Sequence, residues 1–460
     1  MHFVHRAYQK EDTIAAVTTP SGEGAIAVLR ISGSNAFGVA ETLFSGPVKE
    51  YKSHTAHYGN VLAADGKILD SVLLLVMKGP HSYTGEDTVE ISCHGGSLVT
   101  RRVLERVFEA GARPAQPGEF SLRAVLNGKI DLAQAEAVQA LIAAKSERAL
   151  ENAGMQLQGA LSETISRFQK ELTEVCAILE AWVDFPEEGL EFASMEELLD
   201  DLSRICKQME KLHSTFHDGK VLHEGLSLCL LGSPNVGKSS LMNAFLGKER
   251  AIVTDIAGTT RDLLEENLRL GGLHFRLIDT AGIRDTQEII EQEGIRRSKK
   301  AMHEADLILL LLDSSRPLLE TDRALLRDAP QEKTLLVWNK IDLKNQEAVL
   351  QENFSFPDVK ISAKEKIGLE DLKEAIEKLI WKNGPPSKDE VAITQLRHYQ
   401  ALTQAISSCK AVIDGLKRDV SAEFVAFDMR TCLNELGTII GTNVSEDILS
   451  AIFSKFCLGK

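Results

Sequence analysis

Two spacings of apolar residues alternate along this chain and divide it. Up to about residue 125, short strand-like runs are separated by turns rich in Gly and Pro: AIAVLRIS (25–32), SVLLLVM (71–77) and TVEISC (88–93). GSLVTRRVLERVFEAG (96–111) has a helical period instead and is expected to be a helix closed by Gly111. From about 128 the helical period takes over. DLAQAEAVQALIAAKSERALE opens with Asp131 and Gln134 at capping-box spacing. Leu161, Ile165, Phe168, Leu172, Val175, Leu179 and Trp182 then recur at alternating steps of four and three, as do Leu198, Leu202, Ile205, Met209, Leu212 and Phe216. Such stripes bury against neighbouring helices. The next one, Leu402, Ile406, Cys409, Ile413 and Leu416, comes only after residue 400.

Between the two helical blocks, over roughly 223–382, strands and helices alternate until NGPPSK (383–388) interrupts them. The economical arrangement is one helical bundle built from both flanks, with an α/β domain inserted into it. LILLLL (307–312) is too short to span a bilayer and is expected to be a buried strand.

Composition narrows the class. A chain of 460 residues that is 43% hydrophobic and 26% charged is globular and long enough for two to four domains. Its seven cysteines include no C-x-x-C pair, which argues for a reducing compartment and against a disulfide framework or a zinc site. The opening MHFVHRAYQKEDT lacks an apolar signal region, so a cytoplasmic protein is expected. With a net charge of −15, any nucleic-acid role needs a local basic patch or a partner that supplies positive surface.

The inserted segment carries the clearest chemistry. In LSLCLLGSPNVGKSSLMNAF an apolar strand runs into G-x-x-x-x-G-K-S and then a helix. Gly232 and Gly237 let backbone N–H groups close around phosphates; Lys238 would reach the β/γ-phosphates and the Ser239 hydroxyl would hold Mg²⁺. RLIDTAG ends a strand with Asp279, near the Mg²⁺ shell, and Gly282, whose N–H can meet a γ-phosphate. NKID follows, where Asp342 can accept from the N1 and N2 donors of guanine. Adenine lacks that donor pair, and sites built on such bonds discriminate by ~10⁴-fold or more. KISAK (360–364) supplies the loop that supports the base. These motifs mark Asn235, Val236, Gly237, Lys238, Ser239 and Ser240; Asp279, Thr280, Ala281 and Gly282; Asn339, Lys340 and Asp342; and Ser362, Ala363 and Lys364 as GTP-binding. Thr254, Asp255, Ile256, Ala257, Gly258, Thr259 and Thr260 join them from AIVTDIAGTTRDLLEE (251–266), where Thr260, with Thr259 beside it, would close over Mg²⁺ and the γ-phosphate.

One position is anomalous. After D-T-A-G a Ras-like protein has a water-orienting glutamine, whereas this chain has Ile283. Arg261 and Arg284 are nearby, but neither is an obvious arginine finger. A monovalent cation could neutralise the same developing charge, and Asn235 is placed to help hold one.

These G-domain motifs combine with GEDTVEISCHGG, PGEFSLRAVLNGKIDLAQAEA and a terminal FCLGK. With them the whole chain resembles the MnmE (TrmE) family of tRNA modification GTPases. The resemblance implies a multidomain α/β protein of three parts. These are an N-terminal α+β folate-binding and dimerisation domain (1–127), a discontinuous all-α helical domain (128–222 and 384–460), and an inserted P-loop, Ras-like α/β G domain (223–383). It implies a homodimer working with the flavin-containing MnmG (GidA) on the wobble uridine, U34, of tRNA. The pair would add an aminomethyl or carboxymethylaminomethyl group at C5, with a one-carbon unit from 5-formyl- or 5,10-methylene-tetrahydrofolate. G domains would associate when K⁺ and GTP bind. Carried over by position, Asn235, Thr254, Ile256 and Thr259 would hold K⁺, Thr260 would join Ser239 at Mg²⁺, and Glu291 would organise the attacking water. Read without the family, Glu291 is an ordinary solvated helix residue.

Arg30, Glu90, Lys129 and Lys460 match the family's folate positions. On the residues alone, Arg30 shares a strand face with Ile26 and Val28, as an edge-strand side chain reaching for water or as a charge with a partner. The FCLGK tail places Cys457 where a prenylation signal would, but Lys460 is an unsuitable last residue and no polybasic stretch precedes it. Cys457 is expected to be a functional thiol, the alternative being a packed tail residue. Ser233 departs from the arginine common in the family. The competing function is a GTP-switched ribosome-assembly factor binding rRNA, for which this acidic chain shows no appended basic module.

Overall fold

The computed structural model describes residues 12–20, 22–184, 194–246, 267–270, 273–278, 301–343, 354–381, 391–457 and 459. By its contacts the chain divides into two compact units, one of Met1–Gln139, Gln156–Cys206 and Ala401–Lys460, the other of Ala140–Met155 and Lys207–Gln400.

The first unit is built on a six-stranded sheet. Its strands are β1 (Ile14–Val17), β2 (Ile26–Ser32), β3 (Thr55–Leu62), β4 (Ile68–Met77), β5 (Thr88–His94) and β6 (Arg113–Pro114), in the order β3-β4-β5-β2-β1-β6. All neighbours are antiparallel except β1 and β6. Strand alternation sends Ala27, Leu29 and Ile31 of β2 into a core shared with helices α1 (Ala36–Leu43) and α2 (Ser97–Glu109). Burying each such Leu or Ile stabilises the fold by about 2 kcal/mol. Ile26, Val28 and Arg30 point to the opposite face. Because β2 lies inside the sheet between β5 and β1, the edge-strand reading of Arg30 is wrong.

The helical flanks follow their stripes. In the helix Ala160–Asp184, Leu161 through Leu179 of the stripe are buried, whereas Trp182 is only half-buried. It packs against the helix Ala422–Ile440, and the Gln169 amide donates to the Leu433 carbonyl at 3.3 Å. Leu402, Ile406, Cys409 and Ile413 are buried, and Leu416 only partly, near the end of its helix. The capping box closes from both sides: the Asp131 N–H donates to the Gln134 side chain at 2.9 Å, and the Gln134 N–H donates to the Asp131 carboxylate at 2.8 Å.

The second unit holds a sheet of β7 (Leu226–Leu231), β8 (Asn267–Leu270), β9 (Leu273–Ile278), β10 (Leu307–Asp313), β11 (Thr334–Asn339) and β12 (Asp358–Lys360). The order is β12-β11-β10-β7-β9-β8, parallel throughout except for the terminal β8. Central β10 is buried on both faces: Leu307, Leu309 and Leu311 enter one core, Ile308, Leu310 and Leu312 the other. A parallel strand covered on both sides needs an unbroken apolar run, which is what LILLLL supplies. In such sheets ligands bind beyond the carboxyl ends of the strands, where β7 meets Gly232, β10 ends at Asp313 and β11 ends at Asn339.

Candidate nucleotide and small-molecule sites

The loop after β7 is shaped for close backbone approach. Asn235 takes a φ of 62° and its side chain is exposed. Gly237 has φ 104°, and a Cβ there would run into the side-chain amide of Asn339. A side chain at 237 would therefore push the loop away from the third motif as well as strain its own backbone. The helix Lys238–Leu246 starts next, with Ser239 and Ser240 exposed in its first turn. The Lys238 ammonium donates to the carbonyls of Gly232 at 2.7 Å and Ser233 at 3.2 Å.

Asn339 joins three of the sequence motifs. Its Nδ2 donates to the Val236 carbonyl at 2.8 Å, and its Oδ1 accepts from the Ala363 N–H at 2.9 Å. Asp342 is bound by the Ser362 hydroxyl, which, helped by the charges of Lys364 and Lys340, holds its pKa below the ordinary carboxylate value against the effect of burial. Lys340, at φ 69°, donates to Asp313 at 2.7 Å. Burial pushes the Asp313 pKa up, but hydrogen bonds from Lys340 and Ser315 outweigh it and keep the group ionised to lower pH than usual. Asn235 through Ser240, Asn339, Lys340, Asp342, Ser362 and Ala363 thus gather at one end of the sheet, with Lys364 exposed beside them. Thr254, Asp255, Ile256, Ala257, Gly258, Thr259, Thr260, Asp279, Thr280, Ala281, Gly282 and Glu291 lie outside the described residues.

A second site forms in the first unit around Arg30. Arg30 and Glu90 are register partners across β2 and β5, and Nε donates to the Glu90 carboxylate at 2.8 Å. The guanidinium lies 5.3 Å from the centre of the Tyr83 ring and 5.6 Å from that of Phe120, within cation–π range. Lys129 stands against the same loop as Tyr83, its ammonium donating to the Pro80 carbonyl at 2.9 Å. Helix α3 (Glu119–Leu126) carries Phe120, and Ser121 bonds the Tyr83 hydroxyl at 2.8 Å.

Beneath it is a buried charge network that the sequence did not announce. Arg123, fully buried, donates to Glu86 at 2.9 Å and Glu119 at 3.0 Å, while Arg113 donates to Glu119 at 2.7 Å and Asp12 at 2.8 Å. Burial alone would raise the Glu119 pKa; hydrogen bonds from Arg113 and the Gln116 N–H, with both arginine charges, hold it below the ordinary range.

The carboxyl-terminal tail reaches this unit's sheet. The Cys457 carbonyl accepts from the Gly118 N–H at 3.4 Å, and the Cys457 thiol is the exposed one of the seven. Gly459, at φ 91°, is pressed so closely on Val17 that a Cβ would strike the Val17 carbonyl. Val17 follows Ala16, which is registered opposite Arg30. Lys460 lies outside the described residues. Tyr83 and Phe120 beside Arg30 were not foreseen, because nothing in PHSYTGED or PGEF marks an aromatic as facing a residue so distant in sequence.

A glycine-cornered phosphate loop at the carboxyl ends of a parallel sheet, tied by Asn339 to a guanine-reading N-K-x-D stretch, defines the Ras-like class of P-loop GTPases. Two family models match the chain: GTP-binding protein TrmE N-terminus over residues 13–129 and MnmE helical domain over 132–457. The tRNA modification GTPase MnmE of Protochlamydia amoebophila is 60% identical over 100% of both chains. That of Clostridioides difficile is 43% identical, covering 98% of this chain and 99% of its own. Among solved structures, the G domain of the T. maritima FeoB iron transporter is 31% identical over 34% of this chain and 98% of that one, with a TM-score of 0.26. The chain belongs to the MnmE family of tRNA modification GTPases. Among the described residues no helix is long and apolar enough to cross a membrane.

Proposed function

We propose that this chain hydrolyses GTP as one half of a homodimer and, with flavin-containing MnmG, modifies C5 of U34 in tRNA using a one-carbon unit from a reduced folate. The product would carry an aminomethyl or carboxymethylaminomethyl group. The three parts would be 1–127, 128–222 with 384–460, and 223–383.

The observation that carries the folate half is the Arg30–Glu90 pair flanked by Tyr83 and Phe120. A pterin is a flat ring with donors and acceptors along its edges. A guanidinium and a carboxylate offer such a ring polar partners, and the half-buried Tyr83 ring offers it a stacking face, while the fully buried Phe120 ring backs the guanidinium from inside, so the donor set fits. Lys129 and Lys460 would meet the acidic glutamyl tail. The folate would supply the one-carbon unit. Gly459 on Val17 brings the chain's end to the strand facing Arg30, which supports a shared role for the tail and Cys457.

For the GTPase half, Ser239 sits in the first turn of the helix after the phosphate loop, where its hydroxyl would hold Mg²⁺ with Thr260. The exposed Asn235 side chain on a left-handed backbone suits a K⁺ ligand, with Thr254, Ile256 and Thr259 completing the set. The cation would supply positive charge to the developing transition state, which Ile283 in the glutamine position cannot stabilise. Glu291 would orient the attacking water. Reconstitution with MnmG, tRNA, GTP and 5,10-methylene-tetrahydrofolate tests the whole reading: modified U34 should form in K⁺ and not without folate. Modification that proceeds equally without folate would overturn it.

A further inference from the structure

We infer that Arg316 is a positioning residue for guanine-nucleotide binding, joining the phosphate loop to the base-recognition stretch through two buried carboxylates. The inference rests on Lys238 and Lys340 being nucleotide-binding groups.

Asp322, fully buried at the start of the helix Glu320–Asp328, anchors the phosphate loop. The Ser233 hydroxyl donates to its Oδ1 at 2.5 Å. A serine hydroxyl has one proton to give, so the Thr321 hydroxyl, 2.7 Å away, must donate to the Ser233 oxygen. Ser233 is thereby fixed from two sides. Its own carbonyl accepts from Lys238, so the position of Ser233 helps set where the phosphate-binding ammonium rests.

Asp313 anchors the other motif. Its Oδ2 accepts from Lys340 at 2.7 Å, while Oδ1 accepts from both the N–H and the hydroxyl of Ser315. Arg316 stands between the two acids. Its Nη1 donates to Asp322 Oδ2 at 3.2 Å, and its Nε lies 3.6 Å from Asp313 Oδ2. The order is phosphate loop, Ser233, Asp322, Arg316, Asp313, Lys340. Two carboxylates and two cations balance in charge, and a planar guanidinium is suited to hold two acids at a fixed separation. Without Arg316, Asp322 keeps the hydroxyl of Ser233 and the Leu319 N–H as neutral donors, and among the described residues no other cation pairs with its buried negative charge. Both motifs would loosen together.

The experiment measures dissociation of fluorescent GDP and GTP analogues from the full chain carrying Arg316→Gln, Arg316→Lys, Ser233→Ala, or Arg316→Gln with Ser233→Ala. Arg316→Gln should release both nucleotides about tenfold faster, the scale of one lost charge-assisted hydrogen bond, while kcat at saturating GTP stays near the parent value, because Arg316 orders groups that hold the nucleotide and touches no reacting atom. Arg316→Lys should recover part of the loss. Since Ser233 and Arg316 do not touch but share Asp322, the double variant should fall short of the product of the single effects. Unchanged dissociation in Arg316→Gln, or strictly multiplicative effects, would overturn the relay. Failure of the parent chain to bind guanine nucleotide would instead overturn the nucleotide reading, and the relay with it. Ser233→Ala removes one hydroxyl and tests the loop end even where an Arg316 variant does not fold.

Discussion

Arg30 and Glu90 stand opposite each other in the register of β2 and β5, and Nε and Nη2 of the guanidinium both lie 2.8 Å from one Glu90 oxygen. Neither charge is fully buried, each keeping 20% of its side-chain surface. The pair is thus satisfied within the fold yet open to a ligand at its edge. Replacing Glu90 with Gln keeps the shape and removes the charge. Affinity for 5-formyltetrahydrofolate should fall about tenfold, the scale of one charge-assisted hydrogen bond, and GTP turnover should not change. Titration calorimetry checks the first and phosphate release the second; undiminished folate affinity would count against the site.

The cation mechanism makes a salt-specific claim. GTP turnover should rise when K⁺ replaces Na⁺ at equal ionic strength, because the proposed K⁺ would add positive charge where negative charge develops. Asn235→Lys should erase the difference between the two salts. Equal rates of the parent chain in both would remove K⁺ from the account.

Glu291→Ala should leave nucleotide affinity near the parent value and cut kcat by about 10²-fold, the lower range for a group that orients a reacting water. Single-turnover hydrolysis with bound GTP isolates that step. A variant as fast as the parent would mean another residue orients the water.

Acid should weaken the first unit through Glu119. Its folded pKa is depressed by its arginine partners, so its contribution is complete above the ordinary glutamate value of about 4.3 and is lost as pH falls through the lower folded value. Glu119→Gln should lower stability at neutral pH by about 3 kcal/mol, the cost of breaking a buried ion pair, and flatten the acid limb of a denaturation profile. An unaltered acid limb would assign it to other carboxylates.

The elements were legible wherever the cause is local. The capping box of Asp131 and Gln134, the buried run of β10 and the glycine-cornered loop before Lys238 each depend on residues a few places apart, and each is found as expected. Pairings across the chain were not legible. Ser233 meets Asp322 from 89 positions away, and Arg30 meets Glu90 from 60, so no periodicity or spacing connects them. Arg30 could be marked only as a charge on an apolar strand face; the fold decided between water and a partner. Arg123 left no such mark, since an arginine in a helical run ordinarily faces solvent. Its full burial follows from Glu86 and Glu119 converging on it.

This GTPase is proposed to hold a reduced folate as well, at a site its own tail helps to form. The most direct measurement is equilibrium binding of 5-formyltetrahydrofolate to the full chain and to one ending at Phe456. Binding in the micromolar range, about −8 kcal/mol, that is lost or much weakened on truncation is the expected result. Equal affinity of the two chains would detach Cys457 through Lys460 from the site, and no binding by either would contradict the folate reading itself.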